Sequence, residues 1–379
     1  MRGKLRVFAA GLLALTLVAA ACGDDEGGGG GGGGGGGEDC SQTDAVTLQL
    51  QWFIQAQFAG YFAAQEQGFY ADQCLDVTIS EGSVDIVPQQ QLADGAADFA
   101  IAWVPKALAT REEGANIVNI AQVFQRSGTL QVSFAEDDIT TVSDFQGRTV
   151  GNWGFGNEYE LTAAISKFDV QDVELVGQQF DMLALLNGEL DAAEAMIYNE
   201  YAQVLEAVNP ATGELYQPED LDVIDFNDPE VATAMLQDAV WVNAGWIGQE
   251  GNEDITVRFL EATFRGWIHC LDAFDECVDI VLDNGSTLGS SHQAWQLNEI
   301  LGLIFPSTNG IGVMNDALWD QTVQIATDQI PELAGITVGD EAFRTDLAQA
   351  AVDALEAGGF DVAGASYTRR DIELLPGGE

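Results

Sequence analysis

Residues 46–70 have the sequence VTLQLQWFIQAQFAGYFAAQEQGFY, and this stretch decides the fold of the chain. Apolar residues alternate with polar ones from Val46 to Trp52, which is the pattern of a strand with one buried face. From Phe58 onward the aromatic residues fall at helical intervals, with alanines between them. Gly68 is expected to end the helix, because glycine adopts the left-handed conformation without a Cβ clash. The pattern therefore predicts a strand that turns directly into a helix.

The turn between this strand and this helix is a candidate ligand site. Ligands in open α/β sheets bind at the carboxyl ends of the strands, and residues 52–57 lie at such an end. The turn carries a large aromatic ring, Trp52, and two amides, Gln55 and Gln57, which together suit a flat polar molecule. The alternative interpretation is that Trp52 only covers the core.

The charge of the chain limits its partners. Its 379 residues include 13 Lys+Arg and 61 Asp+Glu, which gives a formal net charge of -48. Phosphate contacts need a basic surface, so a nucleic-acid partner is not expected. The acidic residues are spread along the chain, and we interpret them as a solvated surface that keeps the protein soluble.

The first residues have the features of a targeting segment. A basic start and a short apolar run precede small residues and Cys22, and the run is too short to span a bilayer comfortably. We interpret residues 1–21 as a signal peptide and the glycine-rich, acidic residues 22–43 as a flexible tether. The cysteine after small residues resembles the lipobox of bacterial lipoproteins. This resemblance implies lipidation of Cys22 and an extracytoplasmic protein anchored to the bacterial cell membrane. The alternative is a cleaved signal peptide followed by an incidental cysteine.

Four cysteines remain once Cys22 is set aside. An even number outside the cytoplasm suggests two disulfides; three connectivities are formally open, and we favour Cys40–Cys74 and Cys270–Cys277. Metal binding is the weaker alternative. The chain has only 2 histidines and no CxxC or HxxxH spacing, so no metal site is expected.

Strands and helices alternate after residue 70. Strands are expected at 75–79, 99–103 and 117–124, with a helix after each of the first two. This alternation predicts a parallel, doubly wound sheet. Trp103 ends its strand as Trp52 does, and two tryptophans at strand ends favour a ligand-binding wall.

A glycine-rich segment at residues 152–160, NWGFGNEYE, follows the first strand of a second such unit. It matches neither GxGxxG nor a Walker loop, so a nucleotide-phosphate site is not expected. The alternative to a ligand site is a mobile strand–helix loop that binds nothing. The side chains that could contact a ligand here are Trp153, Phe155, Asn157 and Glu158.

A weak internal repeat indicates two lobes of similar topology. Residues 188–196, GELDAAEAM, correspond to residues 95–103, GAADFAIAW: a glycine ends a helix, an aspartate follows three residues later, and a strand comes next. Met196 then takes the position of Trp103. Glu200, which follows, is either an exposed helix acid or an acceptor for an amino-substituted ring.

The later part of the chain is expected to complete the first lobe. A strand near Val240 returns to it, and the remaining segments are predicted to be helices without a catalytic constellation. We expect hinges near residues 126–142 and 232–240. The predicted domain bounds are 44–130 with 238–368 for the first lobe and 131–237 for the second, with the ligand cleft between them.

Several of these motifs resemble those of a known family. They are LQW (50–52), QFAGY (57–61), QGFY (67–70), LDV (75–77), ADFA (97–100), DFQG (144–147), and Asp191-Ala192 through Glu200. The chain resembles the extracytoplasmic substrate-binding proteins of ABC transporters related to thiamine pyrimidine synthase, which include sulfonate-, taurine- and nitrate-binding members. The resemblance covers most of residues 45–275. It implies an α/β, two-lobed periplasmic-binding-protein fold (type II-like), with parallel sheets flanked by helices, and an ABC permease as partner.

The opening motif is similar to that of the pyrimidine- and riboflavin-binding branch, in which the tryptophan of the first strand stacks on the ligand. That resemblance gives the stacking role to Trp52. In the pyrimidine binders a tyrosine and a glutamate four residues apart complete the site. Met196 and Glu200 stand at those positions here, so the acid is kept and the aromatic ring is lost. The departure leaves room for a larger ring system such as a flavin.

Other functions are less consistent with the sequence. The synthase relatives carry a lysine-bound pyridoxal phosphate, iron and a CCCFC run, and this run is missing here, so neither enzymatic activity nor a cofactor is expected. Sulfonate or nitrate binding would need cationic or amide-rich capture of the anion, yet the basic candidates near the cleft are few: Lys106, Arg111 and Arg126. A scaffold of the envelope is a third hypothesis, against which the tryptophans at strand ends argue.

The sequence therefore predicts a monomeric protein whose two lobes close by a hinge motion on a flat heteroaromatic vitamin or vitamin precursor. We expect Trp52 to stack on the ligand. The side chains expected to hydrogen-bond with it are Gln57, Asn157 and Glu200, and the expected walls are Trp103, Phe155 and Tyr198. The remaining candidate ligand-binding residues are Tyr61, Glu158 and Met196.

Overall fold

Two five-stranded sheets, each flanked by helices, form the framework of the computed structural model, which describes residues 40–285 and 287–379. The predicted signal peptide, the lipidation site Cys22 and the tether up to residue 39 lie outside the described residues. Within the described part, none of the helices combines the length and the apolarity that a membrane span needs.

The strands and helices follow one another much as the sequence pattern predicts. In chain order the strands are β1 (Asp44–Gln49), β2 (Leu75–Ser80), β3 (Phe99–Trp103), β4 (Ile117–Gln122), β5 (Thr129–Phe134), β6 (Thr149–Asn152), β7 (Glu174–Gly177), β8 (Ala192–Met196), β9 (Leu221–Asp225) and β10 (Asp238–Asn243). The helices are α1 (Ala59–Glu66), α2 (Phe69–Asp72), α3 (Pro88–Ala93), α4 (Val104–Glu112), α5 (Tyr159–Lys167), α6 (Leu183–Leu186), α7 (Glu200–Leu205), α8 (Ala244–Ile247), α9 (Asn252–Asp272), α10 (Phe274–Asn284), α11 (Ser290–Ile304), α12 (Asp316–Gln329) and α13 (Asp346–Ala357).

Both sheets have the same mixed topology. The first has the strand order β2-β1-β3-β10-β4 and the second the order β7-β6-β8-β5-β9. The strands are parallel except that β10 runs antiparallel to β3 and β4, and β5 runs antiparallel to β8 and β9. These two antiparallel strands are the ones that the chain forms directly after crossing between the sheets.

The chain crosses between the sheets twice, at residues 123–128 and 226–237. The hinge expected at residues 126–142 extends beyond the first crossing, because residues 129–134 are already hydrogen-bonded as β5. The second expected hinge, at residues 232–240, overlaps the end of the second crossing and the start of β10.

The internal repeat has a hydrogen-bonding basis. The Oδ2 atom of Asp98 accepts from the backbone nitrogen of Thr47 at 2.8 Å, and Oδ2 of Asp191 accepts from that of Thr149 at 2.7 Å. Each aspartate stands just before the third strand of its sheet and binds the first parallel strand of that sheet. The aspartate therefore locks the same strand register in both sheets.

The opening stretch forms the predicted strand and helix. Val46, Leu48 and Leu50 are buried, as the alternation requires. A 3-10 turn at Ala56–Phe58 leads into α1, and Gly68 ends the helical segment with a φ of 74°. The turn at the end of β1 is thereby set between a strand and a helix that are both buried.

Helix α1 packs unusually closely against α9. At Gly266 a Cβ atom would meet the carbonyl oxygen of Gly60 closer than real Cβ atoms approach. At Gly60 a Cβ atom would likewise meet the ring of Trp267. The two glycines therefore set the distance between these helices.

Gly266→Ala is expected to destabilise the protein, because the new methyl group forces α1 and α9 apart. Overpacking of this kind costs about 1–3 kcal/mol. The measurement is the free energy of unfolding in urea, with Gly177→Ala as control, since nothing lies within 4 Å of a Cβ atom at Gly177. An unchanged unfolding midpoint for Gly266→Ala would contradict this account of the helix contact.

Two disulfides and the C-terminal helices complete the structure. Cys40 is joined to Cys74, and Cys270 is joined to Cys277 across the junction of α9 and α10. Helices α9 and α10 pack on α1, while α12 also packs on α5, beside the second sheet. The C-terminal helices thus support more than the first sheet.

Candidate functional site

The carboxyl edges of the two sheets face each other, and we call the space between them the cleft. Side chains from the two sides contact each other across it. The ring of Trp52, which follows β1, lies 4.9 Å from the ring of Phe180, which follows β7. In addition, Nζ of Lys106 in α4 donates to Oδ1 of Asn157 at 2.7 Å. The structure therefore brings candidate residues from both sheets together.

Asp238 is the polar centre of the first-sheet side of the cleft. Its Oδ1 atom accepts from Nε2 of Gln51 at 2.5 Å and from Nε1 of Trp103 at 2.8 Å. Its Oδ2 atom accepts from Nε2 of Gln57 at 2.9 Å. One carboxylate thus orients three side chains from two segments, and two of these side chains are candidate ligand-binding residues.

The environment of Asp238 disfavours its charged form. The side chain is only 2% exposed, and this burial raises the pKa of Asp238 to about 6. The hydrogen bonds from Gln57, Trp103 and Gln51 act in the opposite direction, because they stabilise the carboxylate, and the charge of Lys106 adds to them. Asp238 is therefore a buried acceptor that organises the surrounding donors, and not a solvated surface charge.

Sequence reasoning did not identify Asp238, although the topology explains its position. Strand β10 is antiparallel to β3, so its first residue, Asp238, pairs with the last residue of β3, Trp103. The available signal was an acid directly before the apolar strand that was expected to return to the first lobe. An antiparallel orientation of that strand is what carries the acid to the cleft.

The turn that carries Gln57 is held in place by α11. The backbone nitrogens of Ala56 and Gln57 donate to the Oε1 atoms of Gln293 and Gln296, at 2.7 and 3.3 Å. Within the turn, Nε2 of Gln55 donates to Oε1 of Gln57 at 2.8 Å. Gln57 is thereby fixed between Gln55 and Asp238.

Aromatic rings from both sheets form one cluster in the cleft. The ring of Trp52 lies 5.3 Å from Phe53, and Trp153 stacks on Phe180 at 5.9 Å with an interplanar angle of 22°. Phe180 therefore contacts both Trp52 and Trp153. Sequence reasoning missed Phe180; its signal was an aromatic residue just after a strand of the second unit.

Lys106 and Glu194 form the charged part of the cleft. The Lys106 ammonium lies 4.8 Å from the ring centroid of Trp103, and burial lowers the pKa of Lys106 to about 8. Burial raises the pKa of Glu194 to about 8, although its Oε2 atom accepts from the backbone nitrogen of Trp153 at 2.8 Å. Among the described residues nothing hydrogen-bonds to Oε1 of Glu194.

The candidates at the end of β8 mostly organise their own turn. Glu200 accepts from the backbone nitrogen of Met196 at 3.0 Å and from Nδ2 of Asn199 at 2.8 Å. The Sδ atom of Met196 lies 3.8 Å from Oγ1 of Thr129. Tyr198 is buried, and its ring packs edge-on against that of Phe124. The carboxylate of Glu200 is therefore engaged by the protein in this arrangement.

Three further candidates lie apart from the tryptophan cluster. Tyr61 is 1% exposed and packs edge-on against Trp267 at 5.8 Å. Glu158 accepts from the backbone nitrogen of Gly156 at 2.9 Å, so it binds its own loop. The ring of Phe155 is 90% exposed and does not form a wall in this arrangement.

The cleft is closed in this structure. The cavity that touches both Trp103 and Asn157 has a volume of about 10 Å³. That is about the space of one water molecule. A ring-sized ligand therefore needs the two carboxyl edges to move apart, or Phe180 to move away from Trp52.

The chain is similar in sequence to several known proteins. The family model described as "NMT1/THI5 like" matches residues 55–276. The formylaminopyrimidine-binding protein of Halalkalibacterium halodurans is 24% identical over 251 residues, which cover 65% of this chain and 72% of that protein. The riboflavin-binding protein RibY of Chloroflexus aurantiacus is 23% identical over 342 residues, covering 84% of this chain and 91% of that protein.

Solved structures share the architecture. The aliphatic sulphonate binding protein SsuA of Escherichia coli superposes with a TM-score of 0.54 at 15% identity, over 75% of this chain and 86% of that chain. The desulfurization enzyme DSZB superposes with a TM-score of 0.51 at 15% identity, over 82% of this chain and 99% of that chain. At these identities the likeness shows the fold alone, and it confirms the expected periplasmic-binding-protein fold.

Proposed function

Because the chain belongs to the NMT1/THI5-like family, whose model matches more than half of its length, we propose that it is the solute-binding protein of an ABC importer. The observation that carries this proposal is the pair of facing carboxyl edges, where Asp238 orients Trp103 and Gln57 beside Trp52. Such a site holds a small molecule between two sheets that can separate about the crossings. The resulting lobes close on the ligand by a hinge motion.

The ligand is proposed to be a flat heteroaromatic vitamin or vitamin precursor. The cleft offers the rings of Trp52, Trp153 and Phe180 and the amides of Gln57 and Asn157, which suit stacking and in-plane hydrogen bonding. The two relatives are named as binders of formylaminopyrimidine and of riboflavin, and both are flat, nitrogen-containing molecules. These names support the ligand class without choosing between its members.

Sulfonate, taurine or nitrate binding is the second candidate, favoured by the shared fold with SsuA. The acids of the cleft argue against it. The carboxyl groups of Glu194, Glu158 and Asp238 all influence the pKa of Lys106. Glu194 is largely neutral at pH 7 because its pKa is about 8, but the other two acids still outnumber the one ammonium group, so an anion finds little net attraction.

We further propose that the protein is not an enzyme. The two relatives compared above are named as binding proteins, and a fold shared with DSZB carries no activity by itself. The proposal includes a lipid anchor at Cys22, a monomeric state and docking to a membrane permease. It places the protein outside the cytoplasm.

The experiment uses residues 40–379, which contain every strand and helix described and both disulfides. Riboflavin and an aminopyrimidine thiamine precursor are titrated while tryptophan fluorescence is recorded. Saturable quenching by one of them supports the proposal and selects the branch. No response to either, together with a fluorescence change on adding taurine or nitrate, would overturn the heteroaromatic proposal in favour of an anion.

Lys106 gives the binding reaction a predicted pH dependence. Lys106 loses its proton as the pH rises through about 8, and the neutral amine holds Asn157 across the cleft more weakly. Ligand affinity is therefore expected to fall about 5- to 10-fold above pH 8, in the range of one charge-assisted hydrogen bond. Lys106→Met is expected to bind more weakly and to lose the part of this pH dependence that Lys106 causes.

The measurement is the dissociation constant between pH 6.5 and about 9, the range that brackets the shifted pKa. Lys167→Met serves as the control, because Lys167 binds the carbonyl oxygen of Val231 at the surface and not the cleft. A pH profile that is identical in wild type and Lys106→Met would rule out this role for Lys106.

A further inference from the structure

A second cavity lies at the crossings between the sheets, and we call it the hinge cavity. Its volume is about 320 Å³, which falls in the range of small-molecule pockets. Arg126 and Ser127 of the first crossing line it, together with Asn227 and Met235 of the second. Thr308, after α11, lines it from the opposite side. The cavity therefore touches both segments that connect the sheets.

Polar side chains tie the two crossings together beside this cavity. Oδ1 of Asn227 accepts from the backbone nitrogen of Ser127 at 3.1 Å, and its Nδ2 donates to the carbonyl oxygen of Ser127 at 2.8 Å. The buried carboxylate of Glu160 accepts from Oγ of Ser127 at 2.9 Å and from the backbone nitrogen of Met235 at 2.7 Å. The two crossings are thus joined by hydrogen bonds, and both contribute to the cavity wall.

Arg126 is the charged residue of the hinge cavity. Its guanidinium donates to the carbonyl oxygens of Gly302, Leu303, Phe305 and Pro306 at the end of α11, at distances between 3.0 and 3.5 Å. These carbonyls lie at the negative end of the α11 dipole and stabilise the guanidinium, but none of them carries a full negative charge.

The lack of an acidic partner for Arg126 is unusual in this chain. Of the eight arginines in the described residues, six form ion pairs: Arg111, Arg148, Arg258, Arg265, Arg344 and Arg369. Arg126 and Arg370 are the two that form none in the described part. Although the chain has 61 Asp+Glu, no aspartate or glutamate of the described residues lines the cavity beside this half-buried guanidinium. The nearby carboxylate of Glu160 is engaged by Ser127 and Met235.

We propose that the hinge cavity is a second binding site, which takes a small anion on Arg126. The chemistry it recognises is a carboxylate or an oxyanion such as phosphate or sulfate. A guanidinium binds such groups through two parallel N–H bonds. Thr308 adds a hydroxyl group to the lining, whereas the amide of Asn227 already donates to Ser127 and Asp225. The proposal does not depend on the ligand assigned to the cleft.

Binding at this site is coupled to the hinge. Since both crossings form the wall, a change in the hinge angle changes the shape of the cavity. Occupancy and hinge angle are therefore thermodynamically linked, and each biases the other. A small anion in the surroundings thereby shifts the balance between separated and closed sheets.

The test is calorimetric titration of the full chain with inorganic phosphate, sulfate and acetate, at constant ionic strength in chloride. We expect one equivalent of at least one anion to bind. Arg126→Gln is expected to weaken anion binding at least 10-fold. This factor corresponds to about 1.4 kcal/mol of binding free energy, which is in the range of one charge-assisted hydrogen bond. Arg370→Gln is the matched control. Arg370 lines a different cavity, so this substitution is expected to leave anion binding unchanged.

A second variant guards against a folding defect, because Arg126 also holds the end of α11. Thr308→Trp fills the cavity from its exposed rim, keeps Arg126 and is expected to abolish anion binding in a folded protein. The proposal would be overturned if no anion bound to the wild type. It would also be overturned if Arg126→Gln and Thr308→Trp both kept wild-type affinity, or if only Arg370→Gln lost anion binding. Unchanged small-angle scattering at saturating anion would overturn the link to the hinge.

Discussion

Trp52→Ala is expected to weaken ligand binding by roughly 5- to 150-fold, the range that corresponds to the 1–3 kcal/mol measured for stacking on an aromatic side chain. The physical reason is the position of the ring. Trp52 is half-buried at the carboxyl end of β1 and contacts only the rings of Phe53 and Phe180 among the aromatic pairs of the described residues. The part of the ring that Phe180 contacts becomes free for a flat ligand once the cleft opens.

The substitution should leave folding largely intact, because the core beneath Trp52 is formed by other residues. The measurements are the dissociation constant and the thermal unfolding midpoint of the same variant. Trp52→Phe keeps an aromatic face and is expected to lose less affinity than Trp52→Ala. Trp246→Ala, which removes a tryptophan that packs on Phe99 away from the cleft, should lower stability and spare binding. Wild-type affinity of Trp52→Ala would show that the stacking site lies elsewhere.

Asp238→Asn is expected to weaken binding by about 5- to 150-fold, although asparagine has nearly the same shape. The carboxylate accepts hydrogen bonds from Gln51, Gln57 and Trp103, whereas an amide has one acceptor oxygen and an NH₂ group that repels a donor. A buried donor left without its acceptor costs about 1–3 kcal/mol. The side chains of Trp103 and Gln57 then lose the orientation that the proposed ligand needs.

The effect of Asp238→Asn on stability is expected to depend on pH in a defined direction. The pKa of Asp238 in the folded protein, about 6, lies above the ordinary value near 4. Between these values the folded protein holds a proton that the unfolded chain has released, so the stability contributed by this group falls as the pH rises from about 4 to about 6. Asp238→Asn removes that slope.

The measurement is the difference in unfolding free energy between wild type and Asp238→Asn across this pH range. Other buried acids contribute equally to both proteins, so their contribution cancels in the difference. Asp76→Asn, at an exposed position of β2 in the same sheet, is the matched control. A constant difference between pH 4 and 6 would contradict the raised pKa. Unchanged ligand affinity would contradict the positioning role of Asp238.

Much of the architecture could be predicted because its signals are local. The alternation of residues 46–52, the glycine at 68 and the repeated Gly-x-x-Asp turns each depend on a few neighbouring residues. The turns at Asp98 and Asp191 show why the repeat was detectable, since each aspartate binds the strand beside its own. Trp52, Trp103 and Asn157 were placed near the cleft by the same rule, that ligand sites follow the ends of parallel strands.

The other site residues depend on contacts between distant segments. Asp238 reaches Trp103 only because β10 enters the first sheet antiparallel, after the chain has completed the second sheet. Phe180 contacts Trp52 only because the two carboxyl edges meet. Neither the direction of a returning strand nor the distance between two sheets is encoded in a short window of sequence. For the same reason, the sequence identified Glu200 and Phe155 as candidates but did not predict that Glu200 binds its own turn or that Phe155 is exposed to solvent.

The sequence by itself determined the strands and helices, the repeated topology, and a first strand that ends in tryptophan and amides, because periodicity and turn residues act over short distances. The tertiary structure decided which of these side chains work together. It joined Gln51, Gln57 and Trp103 on the carboxylate of Asp238, turned Phe155 to the solvent and set Lys106 against Asn157. The physical reason is that burial and hydrogen bonding between segments far apart in the chain depend on how the two sheets are packed.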